Sequence, residues 1–261
     1  MPLGISTPGS TQLLQAEKLD QTTFSQFGTV IANPSPELIP SEQLTKLPQN
    51  AVQANQGSAL KYLDVTHMKD LYPTAPSTKS SKAVMNMFVC APRQLTTNAT
   101  SKSGLGTFPV KILERHPYTT QTFIPLGLSP REVEEARYLV IVAPSLPPSQ
   151  VDEGFPVPLP NDQHPDLPGR GLPDLTRIRA FIADGSQAVT YGAGTWHAPM
   201  VVIGRKPISF VVVQFANGVG IEDCQEVEWD NEGKGKIEVV VPALDWIEAG
   251  GEKKRMGLSK L

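Results

Sequence analysis

Cysteine is nearly missing from this 261-residue chain: Cys90 and Cys224 stand in separate contexts, with no further cysteine or histidine at metal-ligand spacing. A disulfide framework and a structural zinc site are thereby set aside. An excess of charge of one sign is missing too. The formal net charge is −3, and the only basic cluster is the short run Lys253, Lys254 and Arg255, so nucleic acid and anionic membrane surfaces are not expected as partners. Long apolar runs are absent as well. A stretch such as Phe210 to Val213 falls far short of the roughly 20 residues that a spanning helix needs, and a water-soluble chain with no membrane segment is expected. The opening MPLGISTPGSTQ has neither the basic residues nor the apolar stretch of a signal peptide, so secretion is not indicated.

What is present is β-forming sequence punctuated by proline and glycine. Near the start, TQLLQAEKLDQTTFSQFGTVI predicts a strand and then a short helix stopped by Gly28, with Asp20 or Thr22 as its cap. Residues 33–58 lack periodicity and read as loop with one helical turn. From residue 83 come short β-branched and aromatic runs, including FPVKILERHP, ARYLVIVAP, TRIRAFIADG and FVVVQFANG, spaced as in an all-β sandwich or barrel. VIGRKPISF reads as a hairpin with Gly204 to Pro207 in its turn. Residues 145–173 are so rich in proline that neither strand nor helix is expected, and a long surface excursion covering a pocket mouth is the reading. His164 inside it is read as exposed. One domain is expected over residues 1–255, with a short helix from Leu244 to Ala249. The tail 256–261 closes on Ser259, Lys260 and Leu261, the S-K-L address of peroxisomal import. Import through the peroxisomal receptor is therefore expected, with the cytoplasm as the other location.

The chemistry-bearing residues sit in two stretches. In LERHPYTTQTFIPLG, Glu114 and His116 are two apart on a strand and share a face while Arg115 points away; Gln121 begins the next strand. In YGAGTWHAPM, Trp196 and His197 follow a glycine turn. These spacings resemble the two ligand motifs of cupin barrels, with Glu114, His116 and Gln121 in the first and Gly194 to His197 in the second. Glutamine is a poorer ligand than a carboxylate, so the resemblance is to a degenerate cupin whose metal site is weakened or replaced by hydrogen-bonding groups. A bound metal would take Glu114, His116, Gln121 and His197.

LERHPYTTQTFIPLG, IRAFIADGSQAVTYGAGTWHAP and FVVVQFANGVGIEDCQEVE together closely resemble the ureidoglycolate lyase family, and specifically its fungal branch, from about Phe24 to Glu228. The resemblance implies an all-β dominated, cupin-like β-barrel with a few short helices. It also implies a homodimer that releases urea and glyoxylate from ureidoglycolate in allantoin breakdown. That reaction is an elimination, which calls for a base at the hydroxyl and an acid at the departing nitrogen. His116 and His197 are the expected pair, with Glu114 either fixing a histidine tautomer or serving as the base. The substrate carboxylate calls for a cation, and the resemblance points to Arg179 and Lys61, with Gln121 on the ureido group and Trp196 as an apolar wall. Tyr191 is read either as a site residue or as packing. Arg93 receives no role, and Cys224 is read as structural because its acidic neighbours raise its pKa. No cofactor is required, although a divalent metal is compatible. Two other readings stand beside the lyase: a metal-dependent cupin oxygenase or isomerase, and a non-catalytic cupin that binds a small carboxylate.

Overall fold

A computed structural model describes residues 1–7, 9–96, 104–152, 154–158, 167, 170–229 and 235–242. The architecture is built around the strand Arg137–Ala143, RYLVIVA, in which every residue from Tyr138 to Ala143 is buried. Such an unbroken apolar run belongs to a strand covered on both faces. Leu139, Ile141 and Ala143 pack with Val239 and Val241 of the strand Ile237–Pro242, while Tyr138, Val140 and Val142 pack with Phe210 and Val212 of Ile208–Ala216. An eight-stranded sheet thus lies between a five-stranded and a three-stranded one. Each buried Val, Leu or Phe contributes about 1.5–3 kcal/mol relative to exposure, so this middle layer anchors the fold.

The strand Ile208–Ala216 of the five-stranded sheet alternates instead. Ile208, Phe210 and Val212 are buried and Ser209, Val211 and Val213 only partly so, as expected where one face meets the core and the other does not. The expected all-β architecture with few short helices is what the chain adopts, but its sheets stay open rather than closing into a barrel. Among the described residues the strand Lys82–Cys90 pairs only with Ile208–Ala216 and ends its sheet.

Local signals explain the helices. Asp20 accepts from the amides of Thr22 and Thr23 to cap Gln21–Phe24, and Ser129 with Glu132 forms a capping box at Pro130–Glu135. No helix is long and apolar enough to cross a membrane among the described residues.

Two expectations need correction. Residues 203–207 do not close a hairpin: Val201–Val202 pairs with Arg137–Ala143, whereas Ile208–Ala216 pairs with Gln121–Leu126 and Lys82–Cys90. Gly204 and Pro207 end two strands, and the chain between them crosses from one sheet to the other. The proline-rich excursion contains a 3-10 turn, Gln150–Asp152. Its ends are stitched together at Leu146, whose amide donates to the Leu172 carbonyl and whose carbonyl accepts from the Gly171 amide. Gly171 has no room for a side chain there, since an added Cβ would lie 2.3 Å from the Leu146 carbonyl oxygen. His164, the helix expected at Leu244–Ala249 and the S-K-L ending lie outside the described residues.

Candidate active site

The register of the middle sheet sets one wall of the site. His197 on Trp196–His197 stands opposite Glu114 on Ile112–Arg115, which stands opposite Glu226 on Gln225–Glu228. Directly paired residues share a face. On its other side His197 pairs with Val142, which faces the five-stranded sheet. That sheet supplies the second wall, where Gln121 pairs with Tyr191 and donates its amide to Gln214 at 2.7 Å. Between the two rows lie the polar groups of interest.

His197 is held on every side. Its ring stacks on Tyr191 with centroids 3.9 Å apart and planes at 13°. Nδ1 lies 2.9 Å from the Thr195 carbonyl, and Nε2 lies 3.1 Å from Gln121 Oε1 and 3.5 Å from Glu114 Oε1. A carbonyl and a carboxylate can only accept, so a proton on either nitrogen finds a partner.

His116 is the opposite case. Nδ1 lies 2.6 Å from the Asp223 carbonyl, which requires the proton there and leaves Nε2 bare. Nε2 is buried with no hydrogen-bond partner among the described residues, and the two imidazole centroids are 5.6 Å apart. Burial, and then the neighbouring His197, push the His116 pKa below its ordinary value despite the opposing pull of Glu114. The glycine turn ties the two histidine segments together: Gly194, at φ +77°, donates its amide to the His116 carbonyl at 2.8 Å.

Burial alone would raise the Glu114 carboxyl, but the hydrogen bond and charge of His197 outweigh it and hold the pKa below the ordinary value. Cys224 Sγ is 4.0 Å from Glu114 Oε2. Burial, with Glu114, Glu226 and Asp223 nearby, pushes this thiol up to about 12, which suits the structural role expected of it. Glu114, His116 and His197 also present donor atoms within 4.8 Å of one another. Two imidazoles and one carboxylate, one imidazole nitrogen being unpartnered, fit a divalent transition metal.

Of the residues expected at the site, Glu114, His116, Gln121 and His197 converge. Trp196 does not join them. Neighbours on a strand face opposite ways, so Trp196 turns to the other core, donates to the Gly171 carbonyl at 3.1 Å and carries the Arg115 guanidinium 4.4 Å from its ring. Arg179 is engaged elsewhere, paired with Glu17 at 2.9 Å and bonded to the Thr23 carbonyl. Lys61 is exposed on the hairpin of Ala51–Ala54 and Ala59–Tyr62, and no hydrogen bond or ion pair ties it to the site among the described residues. Arg93 lies over the Phe108 ring. The excursion borders a small cleft, with Val157, Pro158 and Leu167 facing Arg115, Pro117 and Gly194. Sequence reasoning left out Gln214, whose partner on the adjacent strand is visible only through register. It also left out Asp223, which reaches His116 from 107 positions away.

The family model described as ureidoglycolate lyase matches residues 11–236. The chain belongs to the ureidoglycolate lyase family. Among its relatives, the ureidoglycolate lyase of Schizosaccharomyces pombe is 34% identical over 212 residues, covering 81% of this chain and 89% of that one. That of Saccharomyces cerevisiae is 34% identical, covering 73% and 79%. A bacterial relative from Burkholderia mallei is 25% identical, covering 80% and 87%. Among solved structures, an oxalate decarboxylase formate complex from Lactobacillus farciminis aligns with 62% of this chain and 30% of that one, at TM-score 0.26 and 12% identity. So slight a likeness carries nothing over to the site.

Proposed function

We propose that the protein is a ureidoglycolate lyase, cleaving ureidoglycolate to glyoxylate and urea, in keeping with relatives of that name over most of the chain. The observation that carries the mechanism is the contrast between two adjacent imidazoles, one with a bare buried Nε2 and one whose nitrogens both face acceptors. His116 Nε2 takes the hydroxyl proton of the substrate as its carbonyl forms. The carbon–nitrogen bond breaks, and His197 delivers a proton from Nε2 to the departing urea nitrogen. The proton lost by the hydroxyl balances the one gained by the urea nitrogen, so no water is consumed, and return of a proton from His116 to His197 resets the pair. Glu114 holds the His197 ring and stabilises the proton it carries, and the Gln121 amide, oriented by Gln214, binds the ureido group. Paired groups whose surroundings separate their proton affinities are the usual basis for such acid and base assignments.

The test is product analysis with fresh ureidoglycolate, corrected for its spontaneous decay. Urea and glyoxylate in equal amounts, without ammonia, support the lyase, while ammonia as the nitrogen product contradicts it.

Turnover without a metal is part of this proposal. The same Glu114, His116 and His197 would hold a divalent ion if one binds, supplying a Lewis acid for a substrate oxygen. Metal-stripped protein that keeps its rate supports the metal-free reading; a rate that disappears and returns with added metal favours the metal-dependent one.

Peroxisomal import through Ser259, Lys260 and Leu261, read by the import receptor, is proposed from sequence and suits a step of purine catabolism. A homodimer is proposed too. Met85, Met87 and Val89 lie exposed along the edge strand, on the sheet face that also carries exposed Ile124 and Leu126 two strands away. An apolar antiparallel edge can pair with its own copy across a two-fold axis. Met85→Lys with Met87→Lys is then expected to halve the mass measured by light scattering. An unchanged dimer would remove this face from the interface.

A further inference from the structure

His116 acts as a base only if its proton stays on Nδ1, and one carbonyl secures that. The Asp223 carbonyl that accepts from Nδ1 at 2.6 Å lies at the end of the short helix Gly220–Asp223. A single turn of helix does not hold its own last carbonyl in place, so the fastening must come from elsewhere. The Asp223 carboxylate supplies it. Oδ1 accepts from the Tyr72 hydroxyl at 2.7 Å and from the Asn217 amide at 2.9 Å, and Oδ2 accepts from the Gly218 amide at 2.8 Å.

Tyr72 belongs to a segment that also grips the loop carrying His116. Its ring packs 5.7 Å from Tyr118, the Leu71 amide donates to the Tyr118 carbonyl at 2.8 Å, and Asp70 bridges to Thr119. Further along, Ser77 donates through its amide and hydroxyl to Glu222, the residue before Asp223, at 2.8 and 2.6 Å. One strap over residues 70–77 therefore clamps both the histidine and the carbonyl that its Nδ1 proton meets.

We infer that Tyr72 and Asp223 are positioning residues for His116, locking its neutral ring with hydrogen on Nδ1 and the bare Nε2 toward the Glu114 and His197 face. This rests on the role given to His116 above. Neither side chain touches the reacting atoms; they act through the carbonyl. Burial, and then Asp223, keep the Tyr72 phenol protonated and donating. Removing the group that orients a metal-ligating histidine typically costs about 10–100-fold in affinity or activity, and a loss of that order is expected for a histidine oriented as a base.

The experiment is nitrogen-15 NMR of the histidine rings in the full-length protein, with His116 assigned by comparison with His116→Gln. There are 4 histidines in the chain, so the spectrum is simple. The wild type is expected to show the Nδ1–H tautomer at His116. Tyr72→Phe, which deletes only the hydroxyl, should mix the tautomers and lower kcat about 10-fold or more with KM little changed. Asp223→Asn, which turns one acceptor into a donor facing the Gly218 amide, should do the same and stands in if Tyr72→Phe fails to fold. A wild type lacking the Nδ1–H tautomer overturns the inference. So do variants with wild-type ring signals and kcat but a lower Tm, since they would show a purely structural tie. If His116→Gln keeps full activity, the role of His116 fails, while the tautomer result still judges the clamp.

Discussion

The strands Ile112–Arg115 and Trp196–His197 carry polar residues on both faces, and the two faces have opposite characters. On one, Arg115 is fully buried, yet it bonds to Gln225 at 2.8 Å, to the Gly171 carbonyl at 3.0 Å and to the Arg170 carbonyl at 3.3 Å, and it lies over Trp196. Burial still lowers its pKa to about 10, but its donors are occupied. On the other, His116 is buried too, and its Nε2 has no partner among the described residues. Leaving a buried polar atom unpaired costs about 1–3 kcal/mol. A satisfied buried charge holds the strands to the excursion; an unsatisfied nitrogen one residue further along is available to a substrate.

Substitutions on the two faces should therefore separate activity from stability. His116→Gln and His197→Gln carry the largest expected effect, a fall in kcat/KM of about 10²–10⁴-fold, with thermal unfolding little changed. Arg115→Met should do the reverse. It strands the buried Gln225 side chain, at about 1–3 kcal/mol for a buried group left unpaired, so Tm should drop while the folded fraction keeps its kcat. A collapse of kcat in Arg115→Met at unchanged Tm would break the division between the faces. Gly171→Ala is a milder probe of the same face. Its Cβ would press on the Leu146 and Pro147 carbonyls at 2.3 and 2.6 Å, and overpacking of that kind costs about 1–3 kcal/mol, read as a shift in urea midpoint. Cys224→Ser should change least, and the wild-type thiol, pushed up to about 12 by burial, should resist alkylation at neutral pH. Fast labelling there would contradict the surroundings assigned to Glu114.

Much of this site was legible from residue spacing, because period two and two histidine motifs were enough to bring Glu114, His116, Gln121 and His197 together. The same parity argues against Trp196, which cannot share a face with His197. Parity also turns Arg115 away from the site, but it could not reveal that away means a second core rather than solvent. That follows from the middle sheet being covered on both faces, which RYLVIVA hints at through its unbroken burial. Arg179 shows the limit of carrying a role over by resemblance: Glu17 takes its guanidinium, and a partner so distant leaves no local signal. Gly204 and Pro207 likewise mark where strands stop without saying which strands pair. The clamp on His116 was beyond reach for the same reason, since Tyr72 and Asp223 meet across 151 positions.

The role of His116 as the base is tested by the pH dependence of kcat/KM in metal-stripped protein. His116 is faced by Glu114 from its own strand, by His197 from the next, and by Asp223 from the short helix, and its pKa is lowered by burial first and His197 second. A base with a lowered pKa stays neutral as pH falls through 6.5, so activity should persist below that point and then decline as the ring takes its proton. An acid limb with its midpoint below 6.5 is expected, and it should vanish in His116→Gln. A limb that survives unchanged in that variant would pass the base role to Glu114 and contradict the account.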